Sequence, residues 1–442
     1  MLAFPSVLTP ALVSNSSDII ATPDQASWIA ACNGLAGMCG FFILSPILQI
    51  SGRKLAHISC NLPLLIGWVI LTLANSIQAL FAARIIQGLA IGGIYINSII
   101  IGEYVDFRRR GCFLTIKKIA IGVGILVCHS SSLFLDWRQI SMFAICLPTI
   151  GVILTLFWPE SPSYLAMKGR FEECERSFIW LHGHSNLKEL EHILSNQMKN
   201  KPETSFRFLI KKDFLKPILI VSLLTLLLDL CGRYYFVVYV IEIMVELIGD
   251  QSLATYCSIG ADLLTVIAFT SSCFIINRYK RRTILFVFGA LTVFLMFSVS
   301  LLMLLKHYKV GTNIVFLTPS FIIMQCVVVN FGLIPVSFTL IGEVFPLRYK
   351  GYSSCVSGIV FTFLYTLTLK LTPILMENTG IGGAYAIYGL SMGVSLMLLY
   401  FVVPETKDKT LQEIEDYNYF ERNKLFCKEQ KGFRKNININ MA

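Results

Sequence analysis

Apolar segments of about twenty residues recur along almost the whole chain, and short charged clusters separate them. A helix needs about 20 apolar residues to cross the hydrocarbon core of a bilayer, where its backbone polar groups must be satisfied internally. The pattern therefore predicts an all-α polytopic membrane protein. The predicted spans lie at 25–48, 57–76, 79–103, 113–135, 139–158, 214–244, 251–277, 283–305, 312–342, 351–376 and 382–403.

The segment before these spans, residues 1–13, is apolar but too short to cross a bilayer, and Pro5 and Pro10 interrupt it. It has neither the basic start nor the small-residue cleavage site of a signal peptide. We interpret it as the outer half of a first helix that is truncated in this sequence, and the alternative is a protein that works with a damaged first helix.

The composition agrees with a membrane protein: 55% of the 442 residues are hydrophobic and only 14% are charged, whereas soluble domains carry about 25% charged residues. The 13 cysteines are scattered singly and form no C-x-x-C pair, so we predict no metal, no cofactor and no disulfide framework. The six histidines are dispersed, and no paired carboxylates or phosphate-binding loop stand out. We therefore predict no catalytic residues and no enzymatic activity.

The net charge of +10 is distributed unevenly between the two sides of the predicted bundle. Most of the 37 Lys and Arg residues fall in the loops of one side, which the positive-inside rule assigns to the cytoplasm. This placement predicts contact with an anionic lipid bilayer rather than with nucleic acid. Asn15 begins an Asn-Ser-Ser sequon on the opposite side and is the predicted glycosylation site.

The charged clusters occur twice along the chain. Glu103 is followed seven residues later by Arg110, and Glu343 is followed seven residues later by Lys350. Such a repeat predicts two pseudo-symmetric six-helix bundles with the substrate between them at the midplane. The predicted parts are an N-terminal bundle at 1–158, a cytoplasmic helical linker at 159–212, a C-terminal bundle at 213–403 and a cytoplasmic tail at 404–442.

The repeated clusters also predict a gating latch. Ion pairs at helix ends can join the two bundles in one state and separate in another. The alternative is that each cluster only anchors its loops at the lipid headgroups. The predicted latch residues are Arg53, Lys54, Glu103, Arg110, Glu160, Arg281, Glu343, Lys350 and Glu405.

Two proline–glutamate segments identify a family resemblance. The P-E-S-P-S-Y-L segment at 159–165 and the P-E-T-K segment at 404–407 resemble the signatures that follow helices six and twelve of sugar porters, a branch of the major facilitator superfamily. The sequences around Gln25 to Trp28 and around Glu343 most resemble those of the facilitated trehalose transporters of insects. The resemblance implies the major facilitator fold and carriage of hexoses or disaccharides by facilitated diffusion or proton symport.

The amides and the tryptophan that contact sugar in that family are largely altered in this chain. Asp229 and Arg233 lie four residues apart on predicted helix seven, in the region where the sugar-contacting residues are altered. We expect them on one face of the helix, lining the cavity, and the alternative is an internal ion pair without substrate contact. The predicted cavity residues are Asp229, Arg233, Tyr234, Tyr235, Phe338, Phe361 and Thr362.

The predicted function is transport of trehalose or a hexose by alternating access, as facilitated diffusion, at the plasma membrane. Two alternatives remain open: a divergent non-transporting or receptor-like relative, and a carrier of a different small polar solute. The tail after Glu415 is short, which disfavours a sensor with a long cytoplasmic extension. No obligate protein partner is predicted.

Overall fold

The computed structural model describes residues 1–14, 18–105, 110–183, 190, 212–308, 317–344 and 350–407, and within these ranges every regular element is helical. The sequon at Asn15 lies outside the described residues and stays a prediction.

The helices of the first half follow the predicted apolar segments. They are α1 (Phe4–Val13), α2 (Pro23–Ile50), α3 (Arg53–Leu73), α4 (Ile77–Leu89), α5 (Gly93–Tyr104), α6 (Arg110–Ser131), α7 (Trp137–Ala144) and α8 (Cys146–Leu156). A single 3₁₀ turn joins α4 to α5. The linker that follows contains two short helices, α9 (Pro162–Met167) and α10 (Phe171–His182).

The second half repeats this arrangement with longer helices. They are α11 (Lys212–Leu230), α12 (Arg233–Ile248), α13 (Gln251–Arg278), α14 (Arg281–His307), α15 (Leu317–Val328), α16 (Ile334–Val344) and α17 (Lys350–Val402). A π turn at Val329–Leu333 joins α15 to α16.

Nine helical stretches of the described chain are long and apolar enough to cross a membrane. The last of them contains two predicted spans. Gly380, which has a φ of 70°, lies between these spans and interrupts α17. Helix α6, with 22 residues, covers most of the predicted span at 113–135. The predicted span at 214–244 corresponds to one membrane-spanning stretch, Leu215–Ile248, within which the chain leaves the helical conformation at Gly232 between α11 and α12.

The two halves meet along three pairs of helices, α2 with α17, α6 with α13 and α1 with α12. Glycines allow the close approach of the first pair. A methyl group on Gly34 of α2 would overlap Thr366, and one on Gly358 of α17 would overlap the ring of Phe41. Small residues at such crossings let helices associate by backbone approach in a lipid environment.

We call the end of the bundle that carries Arg53 and Arg281 the basic end, and the opposite end the outer end. Helix α2 begins at the outer end after Thr22, whose hydroxyl accepts the Gln25 N–H, while the Gln25 side chain accepts the Thr22 N–H. This reciprocal capping and Pro23 at the first helical position explain why the span starts there.

Candidate substrate cavity

A cavity lies where the two irregular backbone segments of the second half face the first half. The break at Gly232 and the π turn containing Asn330 both contribute to its wall, and Ile121 and Ile125 of α6 contribute from the other half. Its volume is about 40 Å³, which accommodates a few water molecules. In this conformation the cavity is therefore too small for a sugar ring.

The break at Gly232 is stabilised by a side chain from another helix. Gly232 adopts a φ of 92°, a left-handed conformation that other residues rarely tolerate. Gln325 of α15 donates its amide to the carbonyl oxygen of Cys231 at 3.1 Å. Irregular backbone at membrane depth is tolerated where it is bonded to protein or lines a cavity, and this segment does both.

Arg233 begins α12 immediately after the break and lines the cavity. Its guanidinium carbon lies 5.2 Å from the ring centre of Tyr234, 5.4 Å from that of Phe338 and 5.9 Å from that of Phe269. Aromatic faces attract a cation at these distances. Its Nη1 atom has no hydrogen-bond partner among the described residues, so both N–H groups of that atom remain available.

Asp229 does not pair with Arg233 in the way that a continuous helix would allow. Its side chain is fully buried, and neither carboxylate oxygen has a hydrogen-bond partner among the described residues. The four-residue spacing places two side chains on one face only within a single helix, whereas Gly232 separates these two residues into different helices. Asp229 is absent from the cavity wall in this conformation.

The other predicted cavity residues divide into two groups. Tyr234 lines the cavity, and Phe361 packs against it with ring centres 5.6 Å apart. Tyr235 is stacked on Tyr388 at 4.8 Å, and Thr362 donates its hydroxyl to the Gly358 carbonyl of its own helix at 2.9 Å. Neither Tyr235 nor Thr362 lines the cavity, because one is packed among aromatic rings and the other bonds to its own helix.

At the basic end, the predicted latch residues of the first half bind one another. Arg53 and Glu103 form two parallel N–H···O bonds of 2.7 Å, and the Ser161 hydroxyl donates to Glu103 at 2.6 Å. Glu160 accepts the backbone N–H of Arg53 at 2.8 Å, and Lys54 donates its ammonium to main-chain carbonyls of the same half.

The second half repeats the glutamate contact. Glu405 accepts the backbone N–H groups of Arg281 and Arg282, both at 3.1 Å. Gly52 and Lys280, which precede α3 and α14, provide no side-chain cap of their own. Each proline–glutamate segment therefore caps the first turn of a helix more than 100 residues away in the chain.

All of these described contacts lie within one half, so in this conformation they connect helix ends of one bundle and do not join the two bundles. The side chains of Arg110, Glu343 and Lys350 lie outside the described part. The latch between bundles stays a prediction.

Sequence reasoning did not connect two polar residues that the structure brings together, His129 and Asp262. His129 of α6 lies 2.5 Å from Asp262 of α13, and Asp262 also lines the cavity. The available signal was a histidine and an aspartate inside separate apolar segments, since buried ionisable residues are usually paired. Nothing in their spacing, 133 residues apart, indicated that they meet.

A bundle of membrane-spanning helices in two related halves, with a cavity between them, defines the class of membrane carriers with the major facilitator fold. Solved structures have the same fold. The proton:xylose symporter XylE bound to 6-bromo-6-deoxy-D-glucose matches with a TM-score of 0.77 at 17% identity, covering 94% of this chain and 96% of that one. The inward-open form of XylE from E. coli matches with a TM-score of 0.74 at 16% identity.

The family model described as sugar (and other) transporter matches residues 4–417. This chain belongs to that family. It is similar to the facilitated trehalose transporter Tret1 of Apis mellifera ligustica, with 26% identity over 425 residues that cover 93% of this chain and 84% of the relative. It is 25% identical to the Tret1 of Drosophila virilis, and spans about half the length of that relative, 47%.

Proposed function

We propose that this chain carries a sugar, a disaccharide such as trehalose or a hexose, across the plasma membrane by alternating access. The observation that carries the proposal is the family match from residue 4 to 417, which includes every helix that lines the cavity. The insect relatives named as trehalose transporters support the disaccharide.

The cavity wall offers groups that suit a polyhydroxy ring. Asn330 and Thr265 bring an amide and a hydroxyl that can each donate and accept a hydrogen bond. Tyr234 and Tyr365 present aromatic rings, which can cover the apolar face of a pyranose. The transport cycle must enlarge the cavity before a sugar can enter it.

A carrier of a different small polar solute is the second candidate. Arg233 and Asp262 place a guanidinium and a carboxylate at the cavity wall. This pair favours a solute that carries a charged group in addition to hydroxyls.

Uptake of labelled trehalose and labelled glucose in cells that express the chain tests the proposal, with delivery to the surface confirmed by biotinylation. We expect saturable uptake of at least one sugar above that of control cells. Arg233→Gln should raise KM or change the preference between the two sugars. The matched control is Arg176→Gln in the linker, whose side chain is 77% exposed, and it should leave uptake unchanged.

Uptake of neither sugar by a well-delivered native chain would reject the sugar assignment. Unchanged kinetics in the Arg233→Gln variant would remove Arg233 from the substrate site.

A further inference from the structure

Three polar side chains of the first half lie together behind the wall of the substrate cavity. Asn33 belongs to α2, and Arg84 and Gln87 belong to α4, where a spacing of three residues places them on one face of the helix. All three side chains are fully buried, and none of them lines the cavity in this conformation. We call these three residues the polar cluster.

Each member of the polar cluster has polar atoms without a hydrogen-bond partner among the described residues. These atoms are Nδ2 and Oδ1 of Asn33, Nη2 of Arg84 and Nε2 of Gln87. Arg84 donates from Nη1 to the side-chain oxygen of Gln87 at 3.1 Å and from Nε to the carbonyl oxygen of Ile29 at 3.2 Å. Because a guanidinium can only donate, the first bond identifies the free group of Gln87 as its NH2, a donor.

So many unpaired atoms in one place require a reason. A buried polar atom without a partner has lost its hydrogen bonds to water and gained none in return, and folded proteins contain few of them. The polar cluster has four, and one of them belongs to a charged guanidinium whose two bonds both go to neutral oxygens. Local violations of this kind are typical of functional sites.

Tyr365 of α17 separates the polar cluster from the cavity. Its hydroxyl lies near Asn33 and Arg84 and has no hydrogen-bond partner among the described residues. A methyl group on Gly34 of α2 would lie 2.8 Å from the Tyr365 ring, so the ring packs directly on α2 beside Asn33. Tyr365 also lines the cavity, and it therefore borders both the cavity and the polar cluster.

The contact between Tyr365 and α2 crosses the boundary between the two halves. This boundary continues to the outer end, where Lys370 of α17 lies 2.5 Å from Asp24 of α2. The polar cluster itself lies within the first half, and a methyl group on Gly88 of α4 would lie only 2.4 Å from the carbonyl oxygen of Asn33. When the outer ends separate, Tyr365 therefore leaves with α17 while the polar cluster stays together and becomes uncovered.

The unpaired atoms indicate the class of ligand. Three of them are donors, and Oδ1 of Asn33 is an acceptor. Exchanging the oxygen and nitrogen of this amide would not change the set, because both atoms are unpaired. A simple anion would leave the acceptor unsatisfied, and a cation would be repelled by Arg84. A hydroxyl group donates and accepts, and a sugar presents several hydroxyl groups at fixed spacing.

We propose that the polar cluster is the part of the substrate site that the first half contributes, and that it binds hydroxyl groups of the sugar once Tyr365 has moved away. The proposal rests on the sugar carrier proposed above. The second half contributes Asn330 and Thr265 from the cavity wall, so the sugar would be held by hydrogen-bonding side chains from both halves.

Two variants of similar shape test the proposal. Asn33→Leu removes both unpaired atoms of this amide without breaking a described hydrogen bond. Gln87→Glu keeps the acceptor for Arg84, removes the NH2 donor and offers the guanidinium a second oxygen. Loss of the hydrogen bonds that one amide makes to the sugar should raise KM about tenfold in each variant. Gln87→Glu provides the test if Asn33→Leu does not reach the cell surface.

The first measurement is the initial rate of uptake of labelled trehalose and labelled glucose by cells that express the full chain, normalised to surface delivery by biotinylation. The second is thermal unfolding of the purified chain in detergent, with and without each sugar. Without sugar, both variants should be at least as stable as the native chain, because they remove unpaired buried atoms. With sugar, they should lose the stabilisation that the native chain shows.

Asn61→Leu is the matched control. Asn61 lies on α3 of the same half, and its Nδ2 atom already donates to the carbonyl oxygen of His57 at 3.0 Å. The same replacement there removes an amide that is paired within its own helix, so it should leave KM unchanged.

Sugar uptake with an unchanged KM in Asn33→Leu and Gln87→Glu would overturn the proposal, because the polar cluster would then hold buried water only. An equal rise of KM in Asn61→Leu would also overturn it. A native chain that takes up neither sugar, but is stabilised by one of them through the polar cluster, would reject the carrier and keep the binding site. Neither uptake nor stabilisation would reject both.

Discussion

Charged side chains occur at both ends of the bundle, but they connect different partners at each end. At the basic end, Arg53 binds Glu103, and Glu405 caps the helix that begins at Arg281, so the described contacts stay within one half. At the outer end, His129 of the first half binds Asp262 of the second.

This difference separates two physical roles. Contacts within one half hold its helices together as a unit that moves without deforming, and contacts between halves must break when that end opens. In a carrier that works by rocking one bundle against the other, the first kind should persist through the cycle and the second kind should not. Substitutions at the basic end should therefore change stability, and substitutions between the halves should change conformation.

The largest expected effect is at the partly buried Arg53–Glu103 ion pair of the basic end. Glu103→Gln leaves the guanidinium of Arg53 without its charged partner. Breaking a fully buried pair costs about 3 to 5 kcal/mol, and breaking this partly buried pair should cost less than that but more than the about 1 kcal/mol of an exposed pair. Thermal unfolding of the purified chain in detergent should show a large loss of stability. Glu172→Gln removes the partner of Arg176 in an exposed pair and should cost less than about 1 kcal/mol. Equal effects of the two substitutions would remove the structural role assigned to Arg53 and Glu103.

A smaller effect is expected where the two halves touch without charge. Gly358→Ala places a methyl group against Phe41, and overpacking of this kind costs about 1 to 3 kcal/mol. Because the contact joins the halves, the substitution should favour conformations in which α2 and α17 separate. The distance between nitroxides placed on those two helices measures this change.

Gly124→Ala is the control for that substitution, since a methyl group at Gly124 would meet no atom within 4 Å. A conformational shift with Gly124→Ala, or none with Gly358→Ala, would contradict the assignment of the α2–α17 contact as a moving boundary.

The smallest effect tests the symmetry of the two halves at the basic end. Glu160→Gln and Glu405→Gln each weaken the distant cap of a helix, α3 in one half and α14 in the other. Loss of a helix cap costs about 1 kcal/mol, so the two variants should lose similar amounts of thermal stability. A loss in only one of them would show that the repeated segments have diverged in function.

The apolar spans could be predicted because every segment that crosses a bilayer must be long enough and of low polarity. Both properties can be recognised from consecutive residues. The repeated proline–glutamate segments also identified the family correctly. The break at Gly232 was missed because a glycine among apolar residues is compatible with a continuous membrane helix. At the break, the carbonyl oxygen of Cys231 accepts a hydrogen bond from the amide of Gln325, which lies on another helix. This contact can be seen only in the tertiary structure.

The sequence by itself determined the class of protein, its helical spans and the repeat of its halves, because each of these depends on residues close together in the chain. The tertiary structure decided which polar side chains meet. Asp229 and Arg233, four residues apart, are placed in two different helices by the break at Gly232, and His129 and Asp262, 133 residues apart, are joined by helix packing. Pairing inside a membrane is decided by the cost of an unpaired buried charge, which acts through space and not along the chain.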